Sequence, residues 1–295
     1  MSDVDAIFDV RLLTARRNRA AACAARHDFL LQRVAEDFAE RLAIVRRDFA
    51  QAADLGCHHG VIGRRLSGAA NIGSIISFDV AERMLAQAPE PRVFGALDAL
   101  PFAPQSLDLA VSGLALHLVD DLPGAFIQIR RALKPDGLLL AALLGGRTLN
   151  ELRQAWLVAE EEIEGGASPR VAPFADVRDL GGLLQRAGFA LPVVDSDTVT
   201  VTYADPLALM RDIKGMGASN MLRERRRTPV TRRLLLRAAE VYAERFGGDD
   251  GRAAATFEIL TLTAWAPHES QQKPLQPGSA QSRLADALGV PERKV

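Results

Sequence analysis

Two acids, Asp54 and Asp79, constrain what this chain can fold into more than any other feature. The first follows a small apolar run and opens the turn Asp54-Leu55-Gly56-Cys57-His58-His59-Gly60. The second ends the next apolar run, Ile75-Ile76-Ser77-Phe78-Asp79. This is the layout of a βαβ unit that holds an adenosine-containing cofactor. Glycines in the turn let backbone approach the ligand, and the second acid accepts hydrogen bonds from ribose hydroxyls at the surface of the cleft. The turn lacks the phosphate-cradling Gly-x-Gly-x-x-Gly spacing.

The 295 residues can bury one large α/β domain, or a domain with a lid. The net charge of −1 supplies no global field toward nucleic acid or anionic lipid. No nucleic-acid partner is expected, and membrane contact is peripheral at most. Cys23 and Cys57 are the two cysteines, too few for a disulfide framework and suited to a reducing compartment. The start, Met-Ser-Asp-Val-Asp-Ala-Ile, has no basic region followed by an apolar one, which points to the cytoplasm. No apolar run approaches the ~18 residues of a membrane span.

From residue 50 onward strands and helices alternate. Strands are expected at 51–55, 74–80, 92–96, Leu107–Gly113, 138–144, 193–203 and 256–266. Helices are expected at Val61–Leu66, 81–88, 122–133, 176–187 and within 206–246. Lys134-Pro135-Asp136-Gly137 reads as a turn. Such repeats imply a doubly wound, mainly parallel seven-stranded sheet with ligands at the carboxyl ends of its strands. Residues 1–48 read as N-terminal helices, 49–270 as the catalytic-type domain and 271–295 as a disordered tail. Helical insertions at 148–173 and 206–247 either cover the cofactor mouth as a lid or enlarge the core. Gly215 and Gly217 suit a hinge in the second of them.

Candidate cofactor contacts are Asp54, Gly56, Cys57, His58, Gly60, Asp79, Val80, Asp98 and Leu114. Asp98 is either an adenine contact or a solvated loop acid. Asp79 could equally cap the following helix. Cys57, His58 and His59 are metal-ligand types, but three adjacent residues rarely converge on one ion, so no metal is expected. His117, after the fourth strand, is the one candidate general base; the alternative is a packed core histidine. The basic stretch 222–233 is either a docking patch or a solvated helix face, and it lacks the aromatics of a nucleic-acid site.

Asp54-Leu-Gly-Cys-x-x-Gly60, with Asp79 and Leu100-Pro-Phe102, resembles class I S-adenosylmethionine (SAM) methyltransferases. His58 stands where that family usually has a second glycine. Ala96 stands where it usually has the adenine-binding acid, which leaves Asp98 as the nearest candidate. Residues 164–189, 209–220, His268-Glu-Ser-Gln and Ile7-Phe-Asp carry a more specific likeness. They resemble the complex I assembly factor 5 family, related to the malonyl-carrier-protein methyltransferase. The resemblance implies the SAM-methyltransferase fold, SAM as cofactor, and a protein substrate such as an iron–sulfur subunit of respiratory NADH:quinone oxidoreductase. It implies a bacterial member that modifies this substrate during assembly. The reaction is methyl transfer by analogy of fold. The alternatives are arginine hydroxylation, as in the mitochondrial branch, and a non-catalytic assembly chaperone.

Overall fold

The computed structural model describes residues 6–248, 250–272 and 289. Helices α1 (Val10–Ala20) and α2 (Phe29–Ile44) lead into a seven-stranded sheet. Its strands are β1 (Phe49–Leu55), β2 (Ile72–Asp79), β3 (Arg92–Phe94), β4 (Leu107–Gly113), β5 (Leu133–Leu144), β6 (Ala190–Tyr203) and β7 (Ala253–Trp265). They lie in the order β3-β2-β1-β4-β5-β7-β6. Every pairing is parallel except those of β7, which runs antiparallel to both β5 and β6. The strand order reverses where β1 lies between β2 and β4, and a crevice opens there at the carboxyl ends.

Helices cover both faces, so β4 and the second half of β5 are buried almost continuously rather than on alternate residues. On one face α2, α3 (Val61–Leu66), α6 (Asn150–Glu164) and α9 (Arg232–Phe246) bury Phe38, Ile62, Ala159 and Tyr242. On the other, α5 (Leu122–Ala132) and α7 (Val177–Arg186) bury Phe126, Ile129, Leu180 and Leu184. Short helix α4 (Glu82–Leu85) follows β2, and α8 (Pro206–Gly215) follows β6. Side chains of Asp9, Asp121, Asp176, Asp205 and Thr231 cap α1, α5, α7, α8 and α9 by accepting an amide hydrogen bond within the first turn.

The expected turn at 134–137 is a bulge inside a longer strand. Leu107 pairs with Leu133 and Leu109 with Leu138, so four residues loop out between them. Pro135 has no amide for the ladder, and Asp136 takes a φ of +66°. β6 begins three residues earlier than expected because its pairing with β7 slips at Leu191, whose φ is +50°. α4 is shorter than the expected 81–88. α6 lies against α9 and widens the core, whereas α8 and the chain after it border the crevice. Most of the tail assigned as disordered, 273–288 and 290–295, lies outside the described residues.

Candidate cofactor and acceptor site

β1 ends at Leu55 and the chain turns sharply through the glycine motif. Gly56 has a φ of +72°, and a Cβ there would lie 2.3 Å from the Ala115 Cβ. Gly60, at φ +85°, would put a Cβ 2.7 Å from the Ala88 backbone. Both positions therefore demand glycine for conformation and for space. His58 also adopts positive φ, +52°. Its amide donates to Asp79 Oδ2 at 2.9 Å, and its Nε2 lies 3.1 Å from the Gly113 carbonyl. Facing a carbonyl, Nε2 must carry the proton. Burial, then the charge of Arg17, hold this imidazole well below its usual range, so it stays neutral. Cys57 is buried, and burial pushes its thiol up.

Asp79 was expected at the surface of the cleft, but it is 1% exposed. Its Oδ1 accepts from the Ala81 amide at 2.7 Å, and Arg17 Nη1 lies 3.7 Å from Oδ2. α1 causes the burial. It lies over α4, where Ala20 and Ala21 pack with Ala81 and Met84. The small residues let the helices approach, and Arg17 is carried into the crevice. Arg17 lines two cavities. One, of about 120 Å³, is lined by Val80, Ala96, Leu97, Asp98, Ala115 and Leu118. The other, of about 80 Å³, is lined by His27, His58, His59, Leu114 and His117.

Asp54 is fully buried. Its Oδ2 accepts from the Gly63 amide at 3.1 Å, while Oδ1 has no partner among the described residues. Burial raises its carboxyl to about 7. Asp98 is exposed, with its backbone carbonyl tied to Gln128. Leu114 sits at φ +52°. His117 is half-buried, edge-on against Phe174 with ring centroids 5.5 Å apart, and its buried Nδ1 has no partner among the described residues. Burial, then Arg17, depress it to about 3, so it resists taking a proton.

A larger cavity of about 550 Å³ continues from the turn. Both this cavity and the one at the turn are lined by His117, Leu118, Leu144, Met216, Ala218 and Met221. Its walls are apolar, from Leu152, Trp156, Phe174, Met210 and Phe257. Its cations are Arg16, Arg170 and Lys214, and no carboxylate is among the described residues that line it. Arg170 stacks over Trp156 at 4.6 Å and pairs with the buried Glu160. Arg16 donates to the Asn220 carbonyl.

The glycines of the second insertion serve close packing. A Cβ on Gly215 would lie 2.3–2.5 Å from the His27 ring, and one on Gly217 would lie 3.2 Å from the Arg17 backbone. They seat α8 and the next turn against the N-terminal helices, where the expectation was a hinge. Arg225 and Arg226 of the basic stretch pair with Asp9 and Glu164. That stretch therefore binds the rest of the fold. Sequence reasoning missed Arg17, His27 and Asp212. Arg17 is one of several arginines in its helix, and nothing local distinguishes it.

Residues 53–141 match the family described as a methyltransferase domain. The chain is 38% identical over 286 residues to the Danio rerio protein named arginine-hydroxylase NDUFAF5, mitochondrial; the match spans 95% of this chain and 89% of that one. It is 36% identical over 284 residues to the malonyl-[acyl-carrier protein] O-methyltransferase of Halorhodospira halophila, across 92% and 93% of the two chains. A Bacillus halodurans protein with a provisional methyltransferase assignment shares its fold, with a TM-score of 0.55 at 15% identity over 78% of this chain and 97% of that one. The chain belongs to the family of the mitochondrial arginine-hydroxylase NDUFAF5, within the methyltransferase-domain superfamily.

Proposed function

We propose that this chain is a SAM-dependent enzyme that modifies an arginine of a protein partner, an iron–sulfur subunit, during assembly of respiratory NADH:quinone oxidoreductase. What supports the reading most is the continuity of the cavities. A cofactor held at the glycine turn faces directly into a space large enough for an acceptor side chain. The arginine acceptor follows from the relatives named arginine-hydroxylase, whose likeness spans nearly the whole chain.

The residues fit SAM. Asp79 offers a carboxylate to two ribose hydroxyls, in exchange for its contact with Arg17. Val80, Leu97 and Ala115 form an apolar slot for adenine, with Asp98 at its edge. The turn from Gly56 to Gly60 gives close backbone approach, with Cys57, His58 and Leu114 around it. Asp54 Oδ1 is a free acceptor beneath the turn. Arg17 is the guanidinium available to the carboxylate of the methionine part. Bound there, SAM supplies an electrophilic sulfonium methyl group. No helix among the described residues is long and apolar enough to cross a membrane. Two free cysteines suit a cytoplasmic setting, which is part of the proposal.

A second reading is methyl transfer to an acidic acyl group. Three cations and no carboxylate among the described lining residues of the large cavity favour it. Calorimetry with SAM tests whether the site binds cofactor, and absence of binding would leave only a chaperone role. Mass spectrometry of co-purified subunits then separates the gain of one oxygen on an arginine from the gain of one methyl group.

A further inference from the structure

His27, Asp212 and Tyr203 come from three separate parts of the chain and meet at the wall of the cavity beside the glycine turn. His27 lies just before α2, Asp212 is in α8, and Tyr203 ends β6. His27 Nδ1 is 2.5 Å from Asp212 Oδ1, and the Tyr203 hydroxyl donates to Asp212 Oδ2 at 2.8 Å. A carboxylate cannot donate, so Nδ1 carries the proton and Nε2 presents a lone pair. Nε2 has no hydrogen-bond partner among the described residues. Gly215 makes the arrangement possible, because any Cβ there would collide with the ring. The His27 ring lines the same cavity as His58, Leu114 and His117.

We propose that His27, oriented by Asp212, is the proton acceptor of the reaction. The other histidines of that cavity are poor rivals. Nε2 of His58 is engaged by the Gly113 carbonyl. His117 has a buried Nδ1 without a partner among the described residues and is held neutral. Nε2 of His59 is engaged by Asp28, and its side chain is 4% exposed, against 26% for His27. The Tyr203 hydroxyl is pushed up by burial and by Asp212, so it remains a donor to that carboxylate. That bond fixes Asp212 Oδ2 and leaves Oδ1 to orient the imidazole, as in other carboxylate-oriented histidine bases.

The step is a heterolysis. In methyl transfer the acceptor's N–H bond breaks, the proton moves to His27 Nε2, and the pair left on nitrogen would form the bond to the sulfonium methyl group as the methyl–sulfur bond breaks and its pair stays on sulfur. The imidazolium that forms is balanced by Asp212, and its partial exposure lets the proton leave to solvent. An arginine in the cavity lined by Arg16, Arg170 and Lys214 meets repulsion in its charged form, so shedding a proton there is favoured. The inference rests on the arginine acceptor proposed above.

The test pairs kinetics with nitrogen NMR. In His27→Gln, kcat for modification of the partner should fall about a hundredfold or more, as for loss of a general base, with KM and calorimetric SAM affinity within about twofold. Asp212→Asn should also lower kcat, through loss of the ring's tautomer and orientation. Nitrogen NMR of the cofactor-free wild type should show His27 as the Nδ1–H tautomer, and Asp212→Asn should abolish that preference. A His27→Gln enzyme with kcat retained, or with SAM affinity falling in parallel with kcat, would overturn the role. So would an Nε2–H tautomer in the wild type. If His27→Gln does not fold, the tautomer and Asp212→Asn decide. A wild type that binds SAM but modifies no subunit refutes the arginine acceptor, and the tautomer alone then decides for His27.

Discussion

The Arg17 guanidinium lies 3.7 Å from the Asp79 carboxylate, with side-chain exposures of 6% and 0%. It lines both the cavity bordered by Val80 and Asp98 and the one at the glycine turn. A ribose bound to Asp79 must take this place, and the guanidinium must find another anion. SAM brings one in its own carboxylate. Arg17→Ala should therefore weaken SAM binding about ten- to a hundredfold, the size of a charged hydrogen bond of ~1.5–3 kcal/mol. Calorimetry measures this directly. Affinity equal to or above that of the wild type would mean that Arg17 only obstructs the site.

Asp79→Ala should damage the fold as well as the site. It strips the buried amides of His58 and Ala81 of their acceptor and leaves Arg17 buried beside no anion. Removing one partner of a buried pair costs about 3–5 kcal/mol. Denaturant titration should show a loss of that order, reduced in the double variant Arg17→Met/Asp79→Ala, where no charge is orphaned. Equal losses in the single and double variants would show that the two charges do not interact.

The sheet was legible because its strands are either continuous apolar runs or clean alternations bounded by glycine and proline. Their alternation with helices implied a doubly wound, mainly parallel sheet, but not the strand order or the antiparallel placing of β7. The sharp turn after β1 was legible because Gly56 and Gly60 mark its positive-φ positions within a short stretch, and Asp79 was visible as the end of the next strand. Asp79's burial was not legible, because it depends on α1, a helix of alanines and arginines whose docking leaves no local mark. Nor was the contact of His27 with Asp212, which lie 185 positions apart. Glycine at 215 was visible, but glycine for a hinge and glycine for a close approach look identical without the neighbour that approaches.

His58→Gly should be nearly neutral for stability and favourable for cofactor. Positive φ in a non-glycine residue costs about 1–2 kcal/mol. The lost hydrogen bond to Gly113 is worth about 0.5–1.5 kcal/mol, so the two offset each other. The imidazole also lines the cavity beside Leu114, and removing it gives the ligand closer access to backbone. Thermal unfolding should shift little, while calorimetry should show tighter SAM binding. Weaker binding would make His58 a contact of the cofactor rather than an intrusion on it.

Asp54 should make stability fall as pH rises through the acid-to-neutral range. Its carboxyl goes from 3.8 in the unfolded chain to about 7 in the fold, because burial disfavours the charge. Between those values the folded state binds more protons than the unfolded state, so the slope of unfolding free energy against pH is negative for this group. Asp54→Asn removes the titration. The readout is the difference in stability between wild type and Asp54→Asn, measured by denaturant at several pH values. Moving from pH 5 to pH 8 should shift that difference against the wild type by up to a few kcal/mol, at about 1.4 kcal/mol per unit. His117 acts in the opposite sense. Its imidazole falls from 6.5 to about 3, so the unfolded state binds the extra proton and stability rises with pH in that window. That contribution is common to both proteins and cancels in the difference. A difference that stays flat from pH 5 to pH 8 would show Asp54 ionised in the fold across this range. The unpartnered Oδ1 would then have to be solvated or paired in solution.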